Sequence, residues 1–196
     1  MSRRVVVPVE TRADDLPAIK GLIDDGDYAE AGKLLHTFLR DDHESLEAWF
    51  LMGRIMLELD NPAQAWMIFS WILSNGDGDK RWQNWTNLGK AFDHMHRWGE
   101  AEECHRRSLK IDPKNRIALT ALGTCLVQQY RTDEAIKVLE HTLKLHPDAG
   151  MARCSLGYAL IQRREWGRGW DNYQAGYGRM SARIERLYTG EPRWTG

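Results

Sequence analysis

The stretch Trp85-Thr86-Asn87-Leu88-Gly89-Lys90-Ala91-Phe92, with Trp98, Ala101 and Pro113 behind it, decides how this chain is read. Its pattern returns. Thirty-four positions on stand Leu119, Leu122, Gly123, Leu126, Ala135 and Pro147. Another 34 on stand Leu156, Gly157, Leu160, Trp166, Gly169 and Tyr173. Backwards, Trp49, Met52, Gly53, Met56, Ala65 and Phe69 fall into register once two extra residues are allowed at Lys80 and Arg81. A weaker copy holds Leu22, Tyr28, Ala31 and Leu35. A fixed period of this length marks a repeat architecture, and repeats are the first thing to settle in such a chain.

Within each copy the apolar residues step by three and four, which is helical spacing. Asp112-Pro113 and His146-Pro147 each close a helix, because proline cannot continue one. Gly53, Gly89, Gly123 and Gly157 sit inside a first helix, where glycine costs about 1 kcal/mol against alanine. A cost repeated at a fixed period points to close approach of a second helix. The small Ala31, Ala65, Ala101, Ala135 and Gly169 mark the matching spot on that second helix. Strand-like alternation is confined to Val5-Val6-Val7-Pro8-Val9, a short N-terminal arm.

These residues resemble the tetratricopeptide repeat (TPR), a 34-residue helix–turn–helix unit. The resemblance implies an all-α fold, a right-handed α-solenoid of about five such hairpins. It places an arm at 1–11, repeats at 12–45, 46–79, 82–115, 116–149 and 150–183, and a tail at 184–196. The first repeat lacks the Trp and Gly of its first helix and reads as an N-terminal cap.

Composition narrows the function classes. The chain has 196 residues, 28 acidic and 27 basic side chains, and a net charge of -1. Balanced charge argues against nucleic-acid binding by general basicity. The charge is unevenly spread, however: residues 1–80 carry eight basic and fifteen acidic groups, and residues 150–196 eight and four. No stretch approaches the roughly 18 apolar residues of a membrane helix, and the N-terminus lacks the apolar run of a secretion signal. Cys104, Cys125 and Cys154 form neither a disulfide framework nor a zinc motif, which favours a reducing cytoplasm.

TPR arrays hold a peptide or partner segment along the concave face lined by their first helices. Carried over by repeat position, that face presents Phe50, Arg54 and Glu58, then Lys90 and Asp93, then Thr120, Thr124 and Gln128, then Tyr158 and Gln162, with Leu57, Thr86, Val127 and Cys154 beside them. Such a groove suits an extended chain or an amphipathic helix; alternatively the tail or a following domain fills its apolar end. The chaperone-adaptor carboxylate clamp is absent. So is the asparagine ladder of some sugar-transferring enzymes, since only Asn87 occupies the ladder position, against Leu51, Ala121 and Ser155.

Other chemistry finds little support. His94, His96, Cys104 and His105 are the right donors for zinc but fall on different sides of two helices and a turn, so no metal site and no cofactor are expected. No GxSxG, HExxH, Walker-type or GxGxxG run occurs, so no catalytic residue is assigned. The arginines at 163, 164, 168 and 179 make a basic surface without the interleaved aromatic platform of a nucleic-acid binder. The expected function is a non-catalytic scaffold for a protein or peptide partner. The alternative comes from Gly169-Trp170-x-x-Tyr173 and Pro192-x-Trp194-x-Gly196, which resemble the junction in bacterial and phage TPR proteins that lead into a glycosyltransferase domain. One further feature stands out: Met67 and Trp71 occupy convex positions held elsewhere by Lys33, Glu103, Arg107 and Lys137. A helix apolar on every side is normally covered on every side. The cover is either the valine arm or a second copy in a two-fold dimer.

Overall fold

Residues 15–184 are described in a computed structural model, with side chains through Gly178. The valine arm and the tail residues Pro192, Trp194 and Gly196 lie outside the described residues. Ten α-helices follow one another, and no strand occurs among the described residues. They divide between two compact units, Met1–Met95 and His96–Gly196.

The first unit holds α1 (Leu16–Asp24), α2 (Tyr28–Asp41), α3 (Leu46–Glu58), α4 (Pro62–Ser74) and α5 (Trp82–His94). Local chemistry explains the starts. Asp27, Ser45 and Asn61 cap α2, α3 and α4 by accepting from the backbone N–H three residues on, at 3.3, 3.4 and 3.3 Å. Pro62 opens α4 where its missing N–H costs nothing. Ile19, Ile23, Leu35, Phe38, Leu51 and Ile55 form the core between the first three helices. The two extra residues seen in the sequence are taken up before α5 by a 3-10 turn, Gly78–Lys80, whose Gly78 carbonyl accepts from Asn84 Nδ2 at 2.7 Å.

The second unit holds α6 (Trp98–Ile111), α7 (Arg116–Gln128), α8 (Thr132–Leu145), α9 (Gly150–Gln162) and α10 (Trp166–Ile184). Helices α6 and α8 end directly before Asp112-Pro113 and His146-Pro147. The core runs from Leu122 and Leu126 through Ile136 and Leu139 to Leu156 and Leu160. The hairpin turns repeat one motif. Tyr130 has φ 58° and Arg164 φ 67°. Around them Tyr130 N donates to Val127 O and Arg131 N to Leu126 O, then Arg164 N to Ile161 O and Glu165 N to Leu160 O. This pair of bonds closes the end of a helix by reversing the chain through one left-handed residue. In the first unit Gly26 (φ 84°) and Asp60 (φ 53°) serve the same turn.

The periodic glycines do mark close approach, with a correction to what they approach. A Cβ on Gly53 would lie 2.7 Å from the Phe69 ring, and one on Gly123 would overlap the Leu139 side chain. The partner is therefore the large residue four positions beyond Ala65 or Ala135. Helical side chains lean toward the N-terminus of their own helix, so Phe69 and Leu139 reach back over the level of the alanine and fill the space the glycine leaves. In the last hairpin the glycine meets backbone instead. A Cβ on Gly157 would lie 2.7 Å from Tyr173 N and 2.8 Å from Gly169 O.

Candidate functional groove

In the first unit, Phe50, Arg54 and Glu58 stand one turn apart on α3, while Lys90 and Asp93 stand on α5. The spacing of four keeps the α3 residues on one face. Phe50 is half-buried, its ring edge-on to Phe69 at 6.0 Å. Arg54 Nη2 donates to Asp24 Oδ1 at 3.1 Å, a partner one repeat earlier. Lys90 is half-buried between Arg54, Glu58 and Asp93. Burial pushes its ammonium below the usual value; Glu58 opposes, Arg54 adds to the depression, and Asp93 opposes. Four of the five residues expected on this face thus form one mixed-charge cluster beside an aromatic ring.

In the second unit, Thr124 Oγ1 donates to Thr120 O at 3.0 Å and lies 2.9 Å from Ser155 Oγ. Gln128 is exposed. Tyr158 is exposed too, edge-on to Tyr173 at 5.2 Å. Gln162 is held at both ends of its amide: Nε2 donates to Val127 O at 3.2 Å, and Oε1 accepts from Thr132 at 3.0 Å. It clips neighbouring repeats together. Of the positions expected beside the groove, Leu57, Thr86, Val127 and Cys154 are buried instead. Within each unit neighbouring first helices touch, α1 with α3, α3 with α5, and α7 with α9, which narrows the open part of each.

Several polar pairings that were not made from sequence share a separation of 30 to 34 residues. They are Asp24 with Arg54, Glu47 with Arg81, Asp60 with His94, Arg116 with Asp148, and Asp133 with Arg163. The repeat length itself is the signal that finds them. Of the donors considered for zinc, His94 Nδ1 lies 3.1 Å from Asp60 Oδ1, His96 packs on Trp98 at 5.3 Å, and Cys104 and His105 are buried on α6. Sequence also missed an open cleft of about 440 Å³ in the second unit, lined by Glu140, Lys144, Arg153, Arg168 and Asn172 over Leu143 and Leu156. Outside the groove, Met67 and Trp71 are 61% and 38% exposed, with Trp71 tilted against Trp49 at 5.7 Å. No helix among the described residues is long and apolar enough to cross a membrane.

Comparison with known proteins fits this architecture. Residues 85–117 and 126–175 each match the tetratricopeptide repeat. Among solved structures, a thermophilic TPR protein from Thermus thermophilus is 15% identical, with a TM-score of 0.71 over 89% of this chain and 96% of that one. MamA is 16% identical, with a TM-score of 0.69 over 85% and 96%. YrrB, described as a TPR protein with an unusual peptide-binding site, is 14% identical, with a TM-score of 0.67 over 90% of each chain. At such identities the likeness shows the fold, a helical solenoid of repeats. No curated protein matches the chain.

Proposed function

Because the chain is a tetratricopeptide-repeat protein, we propose that it works as a non-catalytic scaffold that holds a peptide or partner segment along the open crests of its first helices. The observation that carries this reading is the cluster of Arg54, Glu58, Lys90 and Asp93 beside Phe50. It joins apolar surface to charges of both signs, which is what an extended peptide with alternating side chains requires. The half-buried Lys90 adds to it, because a carboxylate brought against a partly desolvated ammonium gains more than it would in open water. That YrrB carries a peptide-binding site on the same fold supports the reading. The repeat limits 12–45, 46–79, 82–115, 116–149 and 150–183 are part of the proposal, as is a cytoplasmic setting. The latter is supported by three buried cysteines, none joined in a disulfide.

A peptide display library panned on the wild-type chain tests the proposal. Selected peptides are expected to lose at least tenfold in affinity for Arg54→Glu/Lys90→Glu, while the helical circular-dichroism signal stays. Peptides that bind the double variant equally well place the ligand elsewhere. The alternative, a recruiting module ahead of a bacterial or phage glycosyltransferase, rests on Gly169-Trp170-x-x-Tyr173 in α10. The coding frame beyond Gly196 separates the two readings.

A further inference from the structure

A second helix carries the next first helix on one side. Helix α8 does so through Ile136 and Leu139, both buried, and through Leu143, all packed in the cluster that holds Ala152, Leu156, Ala159 and Leu160 of α9. Thirty-four positions on, α10 presents Trp170, Tyr173 and Tyr177, with Trp166 a turn earlier. Trp166, Trp170, Tyr177 and the adjoining Tyr158 of α9 are each between 52 and 57% exposed. The rings form one surface: Trp170 meets Tyr173 edge-on at 6.0 Å, Tyr173 stacks on Tyr177 at 6.3 Å, and Tyr158 meets Tyr173 at 5.2 Å. Steps of four, three and four residues are the spacing of a seam that meets another helix along its length.

The size and symmetry of the seam name its occupant. Half of four aromatic side chains of about 150–250 Å² each leaves roughly 400 Å² uncovered. That is as much as the largest apolar patch of an ordinary monomer. It is also about half of the ~800 Å² that each partner buries in a stable complex, the share expected of an apolar centre inside a polar rim. A second copy has the matching helix. When two α10 helices run antiparallel, position 166 faces 177 and position 170 faces 173, so every tryptophan meets a tyrosine. Such an arrangement is self-complementary about a two-fold axis and opposes the two helix dipoles. We infer that the chain associates with a second copy of itself through α10, aromatic seam against aromatic seam. This inference shares Tyr158 with the groove reading but does not depend on the cluster around Lys90. Residues 150–196 carry eight basic and four acidic side chains, so the joined ends repel one another electrostatically. Added salt screens that repulsion and tightens the dimer.

Sedimentation equilibrium of the 196-residue chain from about 1 to 200 µM reads the association directly. The mass is expected to rise from 22.7 kDa toward twice that value, at lower concentration when salt is added. Trp170→Glu is expected to weaken the dimer at least tenfold, and Trp71→Glu to leave it unchanged. Tyr177→Glu gives an independent variant should Trp170→Glu lose helical signal. A mass that stays at 22.7 kDa throughout overturns the inference. So does a dimer indifferent to both α10 variants, or one abolished by Trp71→Glu.

Discussion

Gly157→Ala tests a close backbone contact between α9 and α10 in the second unit. A glycine inside an exposed helix gains about 1 kcal/mol when it becomes alanine, because alanine has less backbone freedom to lose. At Gly157 the new Cβ would stand 2.7 Å from Tyr173 N and 2.8 Å from Gly169 O. Ordinary contact lies near 3.5 Å, so α10 would have to move by about 0.8 Å. Both obstructing atoms are backbone, and no rotamer change clears them. Overpacking of this kind costs about 1–3 kcal/mol, and the rigid partner argues for the upper end. After the propensity gain, a net loss of about 2 kcal/mol is expected. Gly32→Ala is the control, since nothing lies within 4 Å of a Cβ placed there; it should gain about 1 kcal/mol. The two variants then differ by about 3 kcal/mol, which is a separation of at least 1 M in urea midpoint for an m-value of about 2 kcal/mol/M. Urea titration followed by circular dichroism reads it. Equal midpoints for the two variants would refute the close packing of α9 on α10.

Three further outcomes follow from particular residues. Glu102 is burdened by burial, yet hydrogen bonds from Gln129 and Arg106 and the charge of Arg131 hold its carboxyl below the usual 4.5. Its stabilisation is therefore present above pH 4.5 and lost as pH falls through the lowered value. Glu102→Gln should cost about 2 kcal/mol at neutral pH and progressively less in acid, measured by urea midpoints across that range. Tyr130 is 80% exposed at φ 58°, so Tyr130→Gly relieves a left-handed residue and should raise stability by about 0.5–1 kcal/mol after the entropic cost of glycine; no gain in thermal midpoint would count against strain there. If the valine arm covers Met67 and Trp71, deleting residues 1–10 should increase binding of a hydrophobic dye, and Trp71→Glu in that background should reverse the increase. Unchanged dye binding would assign the cover to something else.

The repeat, and with it the all-helical fold, was legible in Trp85, Gly89, Phe92, Ala101 and their counterparts, because a period of 34 residues imposes the same helix, turn and helix each time. Asp112-Pro113 and His146-Pro147 show where helices stop, since proline acts on its own neighbours. Phase alone also brought Arg54, Glu58, Lys90 and Asp93 into one cluster. What each side chain does there was decided by packing. The glycine of a first helix meets Phe69 or Leu139 rather than Ala65 or Ala135, because side-chain direction as well as position sets the contact. Leu57, Thr86, Val127 and Cys154 share the groove's phase yet are buried, Cys154 against Tyr173 and Gly176 of α10. Gln162 is spent on Val127 and Thr132, and Arg54 is braced through Nη2 by Asp24. The helical period specifies which residues share a face. Which of those remain open to a partner depends on what the adjacent repeat lays against them, and that is a property of the tertiary structure.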